Sequence, residues 1–182
     1  MDQFVMTATV DAGGALWAGG GFTTAGGVVS PYLAKWAPGS APTITSQPSP
    51  AKSCPAGPAS FILGVSSVDA PFFGWSVESP AESGNYVALS APTFVEGESG
   101  LEFRIGGHDQ ATLQISGVKL RGHANVVRFV GRATTMCGSV ASDAATLTIC
   151  LADYNCDHFV NGDDYDTFAS VFDVADPAAD LN

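Results

Sequence analysis

With 182 residues, 21 of them glycine and 11 proline, and a charged fraction of only 14%, the chain holds one large or two small domains built of short strands and many turns. Its net charge of −11 is unevenly placed: eight of the eighteen acidic residues follow Leu151, and no lysine or arginine follows Arg132. An acidic end of this kind excludes nucleic acid as a partner, and no run of about 18 apolar residues is present to span a membrane as a helix.

Residues 1–37 carry apolar runs at Thr7–Val10, Leu16–Gly20, Phe22–Gly27 and Leu33–Trp36, separated by glycine turns, which predicts a small antiparallel meander. Residues 38–53 read as a linker, because prolines at 38, 42, 48 and 50 favour an extended chain and remove ladder donors. Residues 54–150 read as one β-sandwich. Ala111–Ser116 alternates Leu113 and Ile115 with polar neighbours, Val126–Val130 is a second strand, and Ala145–Cys150 turns Leu147 and Ile149 inward. Cys137-Gly138-Ser139 is the turn of a hairpin between the last two. The predicted core is Trp75, Leu113, Ile115, Val127, Phe129, Leu147 and Ile149; Trp17 and Trp36 are also expected in a core.

In the last segment, 151–182, oxygen-bearing side chains recur at positions 1, 3, 5, 9 and 12 of a twelve-residue loop: Asp153, Asn155, Asp157, Asn161 and Asp164. A hard cation such as Ca²⁺ takes six to eight oxygens, and such a loop wraps them round one point, with the Phe159 carbonyl as backbone ligand. Val160 is the apolar residue expected to tie the loop to a core. Asp163–Asp173 then predicts a helix, with Phe168, Val171 and Phe172 on one face and acids in its first turn. His158 stands where a sharp turn normally needs glycine, which predicts weak binding.

Three resemblances follow from these residues. The spacing Asp153 to Asp164, with aspartate at position 12, resembles the dockerin repeat, a calcium-loaded module that joins secreted proteins to cohesin partners. Asp180-Leu181-Asn182 repeats Asp153-Tyr154-Asn155 and reads as a second loop cut off at its third position. Thr135–Cys150 resembles the closing hairpin of immunoglobulin-like domains in large secreted bacterial proteins, although Val127–Arg132 lacks their Tyr-x-Cys. Leu16–Trp36 resembles a propeller-like blade, here the last of a longer array; a glycine-rich hairpin packed on the next domain is the other reading. Together they imply a mainly β chain: an immunoglobulin-like antiparallel β-sandwich with an N-terminal β-meander and a C-terminal calcium loop-helix. They also imply a secreted or cell-surface setting with both ends truncated, since Met1-Asp2-Gln3 lacks the basic start of a signal peptide.

Cys54, Cys137, Cys150 and Cys156 form no CxxC pair and have no histidine at zinc spacing, so disulfides are expected, in any of three pairings. Cys150–Cys156 is sterically conceivable. No catalytic constellation emerges. His108-Asp109 follows two glycines and reads as a turn, and Glu96, Glu98 and Glu102 read as solvated loop acids. The expected function is non-catalytic: attachment and spacing through a Ca²⁺ loop that engages a cohesin-like or cell-surface protein. The alternative is the polysaccharide-binding tail of a secreted polysaccharide-degrading enzyme.

Overall fold

A computed structural model describes residues 1–37, 39–54, 57–95, 101–120 and 125–173. Glu96, Glu98, Arg121, His123 and Asp180–Asn182 lie outside the described residues. The chain divides into two compact units, Met1–Ser40 and Ala41–Asn182. Both are built of strands, apart from one helix among the described residues.

In the first unit β1 (Val5–Val10) and β2 (Leu16–Gly20) meet at a turn that Asp11 closes, its Oδ1 accepting the N–H groups of Gly13 and Ala15 at 2.9 and 3.0 Å. A ribbon of β3 (Thr24–Ala25) and β4 (Val28–Val29) turns through Gly26 and Gly27, both at positive φ. β5 (Leu33–Trp36) then pairs with the far side of β2, completing the expected antiparallel meander. Ala8, Ala18 and Ala34 lie abreast across the sheet. Core placement of Trp17 and Trp36 does not hold. Trp36 is 62% exposed, and half-buried Trp17 donates from Nε1 to Asp11 Oδ2 at 2.9 Å with Lys35 Nζ 5.0 Å above its ring. In this unit the buried side chains are Phe22, Ala15, Ala18 and Ala34, and neither tryptophan shares their cover.

The second unit opens with β6 (Thr43–Ser46), β7 (Ala51–Ser53), β8 (Ala59–Ile62) and β9 (Gly64–Ser66). It continues through β10 (Phe72–Glu78), β11 (Tyr86–Ala88), β12 (Thr93–Val95), β13 (Leu101–Gly106) and β14 (Thr112–Leu120). Then come β15 (Val126–Thr135), β16 (Gly138–Ala141), β17 (Ala145–Ile149) and the helix α1 (Gly162–Asp173). One sheet runs β11-β10-β15-β17-β7, with β16 also on β15; the other runs β12-β13-β14-β8. Their inner faces meet at Phe129, whose ring centroid lies 5.2 Å from that of Phe61 and 5.7 Å from that of Phe103. This is a β-sandwich, and all seven predicted core residues are buried in it.

Trp75 fixes one glycine. It pairs in register with Gly131, where an added Cβ would lie 3.1 Å from the indole and from Leu63, tighter than a packed core accommodates. Its Nε1–H is satisfied by the Gln110 carbonyl at 2.9 Å. The segment read as a linker, 38–53, instead supplies β6, paired with β9, and β7, paired in parallel with β17. Proline still marks their limits, at 42, 48 and 50. β7 is an edge strand, where missing ladder donors nearby are tolerated.

Candidate metal centre

β17 ends at Ile149, and the oxygen-rich loop begins four residues later. Its turns are shaped by side chains that accept hydrogen bonds from backbone two residues on. Asn155 Oδ1 accepts from Asp157 N (2.9 Å), Asp157 Oδ1 from Phe159 N (2.8 Å), and Asn161 Oδ1 from Asp163 N (2.6 Å). This is the local bonding that makes Asn and Asp turn formers. Asn155 Nδ2 also donates to Asp157 Oδ2 at 3.2 Å.

Asp164 closes the loop. Its Oδ1 accepts from Tyr154 N (2.7 Å) and Asn155 N (3.1 Å), and its Oδ2 from Asn161 N (2.8 Å). The Asn161 N–H first, with those of Asn155 and Tyr154, outweighs the upward push of burial and lowers the Asp164 carboxyl from its ordinary value. Asn161 and Asp164 thus make a reciprocal cap at the start of α1: the residue before the helix accepts from its second N–H, and the third helical residue reaches back.

Asp153 differs from the others. It is 4% exposed, and its Oδ1 is buried without a hydrogen-bond partner. Orphaned buried carboxylate oxygens are costly. His158 has φ 73°, the left-handed backbone expected at that position, and Cys156 shares it at φ 64°. Phe159, Val160, Asp157 and Asn161 are exposed. Val160, at 62% exposure, does not anchor the loop in a core. That task falls to a disulfide from Cys156 to Cys54, just beyond β7, which spans 102 residues of chain. Cys150–Cys156 is not formed; Cys137 and Cys150 are free thiols.

The structure therefore gathers Asp164, Asn161, Asn155 and Asp157 into one hydrogen-bonded turn system and buries Asp153 beside its start. Among the described residues, no three acidic, histidine or cysteine side chains already converge as a metal-holding group. Asp164 Oδ1 accepts two backbone N–H groups and Oδ2 accepts one, which leaves Oδ2 a lone pair for a cation. The donor set is all oxygen, which suits a hard cation. Two features escaped the sequence reading. Tyr154, Phe168 and Phe172 form a row, Tyr154 edge-on to Phe168 at 5.6 Å between centroids and Phe168 stacked on Phe172 at 5.7 Å. A cavity of about 320 Å³ beside them is lined by Leu151, Tyr154, Val160, Tyr165 and Phe168. The first was half-visible in the helical spacing of Phe168 and Phe172; the second depends on the loop's path and had no sequence signal.

The other ionic site is structural. Glu78 is buried, and its Oε2 accepts from Arg128 Nη1 at 2.9 Å while Oε1 accepts from Gly84 N at 2.9 Å. Burial pushes the Glu78 carboxyl up, but the Arg128 bond, the Gly84 N–H and the guanidinium charge together hold it below its ordinary value. Among the acids read as loop residues, Glu102 lies 3.5 Å from Lys119, and His108-Asp109 sits in a turn.

The molecule is thus a mainly β protein with a sandwich carrying an Asp/Asn loop and helix. No family model and no curated protein matches the sequence. Among solved structures, a chimeric titin Z1Z2 carrying a decorin peptide matches at 22% identity and TM-score 0.42, over 63% of this chain and 98% of that one. A complex of titin M10 with an obscurin-like 1 Ig domain matches at 24% identity and TM-score 0.39, over 63% and 97%. Tandem Ig repeats of Dlar match at 12% identity and TM-score 0.40, over 80% and 74%. At these scores the overlap is partial, and the sandwich architecture rests on the strand pairing described above.

Proposed function

We propose that Asp153–Asp164 is a calcium loop of dockerin type and that the chain is a non-catalytic attachment and spacer fragment of a secreted or cell-surface protein. The observation that carries this reading is the buried, unpartnered Asp153 Oδ1 at position 1 of an oxygen-rich loop. Asp153, Asn155, Asp157, Asn161 and Asp164, with the Phe159 carbonyl, would hold the ion. Ca²⁺ would supply positive charge that offsets most of the repulsion among three nearby carboxylates. The chain's own part is to root the loop, through β17 on one side and Cys54–Cys156 on the other. The acidic surface around α1 suits a partner with a basic face, a cohesin-like or cell-surface protein. The N-terminal meander, with its uncovered Trp36, fits one blade of a propeller-like array. In the alternative, a polysaccharide-binding sandwich, Trp75 would be the expected sugar platform, but it is buried.

Calorimetry of the whole chain with Ca²⁺ tests the metal site. Binding is expected in the range of about 10⁻⁴–10⁻³ M, lost in the Asp153→Ala, Asp157→Ala double variant and tightened in His158→Gly. If the parent takes up no Ca²⁺ at millimolar concentration, or the double variant binds equally well, the loop is only an acidic turn.

A further inference from the structure

Three of the four cysteines lie at one end of the sandwich. The parallel register of β17 on β7 runs Leu147↔Ala51, Thr148↔Lys52, Ile149↔Ser53, and Cys150 N donates to the Ser53 carbonyl at 2.8 Å. Cys150 and Cys54 are therefore the next residues along two adjacent strands. Neighbouring strands run about 4.8 Å apart, which falls within the Cα spacing of about 4.4–6.8 Å that a disulfide bridges. Cys54 is already bonded to Cys156, and Asp153 N donates to the Cys150 carbonyl at 3.3 Å, folding the segment between Cys150 and Cys156 back on itself. The fourth cysteine, Cys137, is exposed in the turn after β15. Val126, at the start of β15, pairs with Thr148, so the ten-residue strand carries Cys137 about 30 Å from the other three.

We propose that Cys150 is an internal exchange thiol for the Cys54–Cys156 disulfide, so that the link holding the Asp153–Asp164 loop to β7 is transferable. The deprotonated Cys150 sulfur attacks one sulfur of the disulfide in line with the S–S bond. Attack at Cys54 forms Cys54–Cys150, breaks Cys54–Cys156, and leaves the electron pair on Cys156, which takes up the proton. Attack at Cys156 forms Cys150–Cys156 and releases Cys54 in the same way. One disulfide and one thiol enter and leave, so no external oxidant or reductant is required. Either product detaches the loop from β7. The exchange stands on cysteine placement alone; only its effect on a cation rests on the calcium reading.

The test uses the whole oxidised chain, held without added thiol at about pH 8, near the ordinary thiol pKa. Samples are alkylated over time, and the disulfides are mapped by peptide mass spectrometry. The expected result is growth of links that contain Cys150, with Cys54–Cys156 declining in step. Cys150→Ser should lose every such link and keep only Cys54–Cys156, whereas Cys137→Ser should behave as the parent. Cys150 remaining fully alkylatable throughout, or an intramolecular link to Cys137, would overturn the proposal. Ca²⁺ calorimetry on the Cys150→Ser variant is a separate readout: absence of binding there and in the parent counts against the calcium loop and leaves the disulfide map to decide the exchange.

Discussion

Leu147 and Glu78 show how single residues hold the sandwich. Leu147 is fully buried between the sheets, so Leu147→Ala should cost about 2–5 kcal/mol; a loss under half a kilocalorie in urea unfolding would mean that its side chain is not in the core. Glu78 carries the pH dependence. Its folded carboxyl lies below the ordinary value of 4.5, so its stabilisation is present above that value and is lost as pH falls through the folded value. Glu78→Gln should therefore flatten the acid limb of the stability curve below about pH 4.5. Urea midpoints at several acidic pH values check this, and parallel curves for parent and variant would count against it. Six of the seven core residues were legible because a strand with one packed face alternates, and β14, β15 and β17 alternate plainly; Trp75, on β10, was legible from its size and hydrophobicity and not from alternation. Trp17 and Trp36 were not, because hydrophobicity says what would favour burial and not whether the fold covers it.

Loop and helix form a unit held by local bonds, and so were readable to within a residue: a helix predicted to start at Asp163 starts at Gly162. Asn161→Ala removes the acceptor for the Asp163 N–H and should cost about 0.5–2 kcal/mol at the helix start. Hydrogen exchange across α1 measures it: protection should fall in the variant and recover partly with Ca²⁺. Unchanged protection would mean that the Tyr154–Phe168 packing, and not the cap, sets the helix. β6 and β7 escaped notice for the opposite reason. Their ladder partners lie about 20 and 100 residues away, at β9 and β17, and prolines between them mimic a linker.

Across the molecule, the class of fold was visible in composition and turn spacing, while its closures were not. Neither the parallel β7–β17 pair nor Cys54–Cys156 has a local signature, because each joins residues that the chain brings together only on folding. That disulfide has a mechanical consequence. Tension applied between β6 and α1 travels along the chain to Cys54, crosses to Cys156 and leaves through the helix. The chain between the two cysteines, a sequence separation of 102, hangs from this path as a closed loop, about 350 Å of contour that bears no load. In a single-molecule stretching measurement, the oxidised chain should extend without releasing that length, and the reduced chain should release it when the sandwich opens. Equal extension in both states would show that force runs through the sandwich. With the bond intact, a chain linked this way is a short tether with most of its sandwich carried alongside, out of the line of pull.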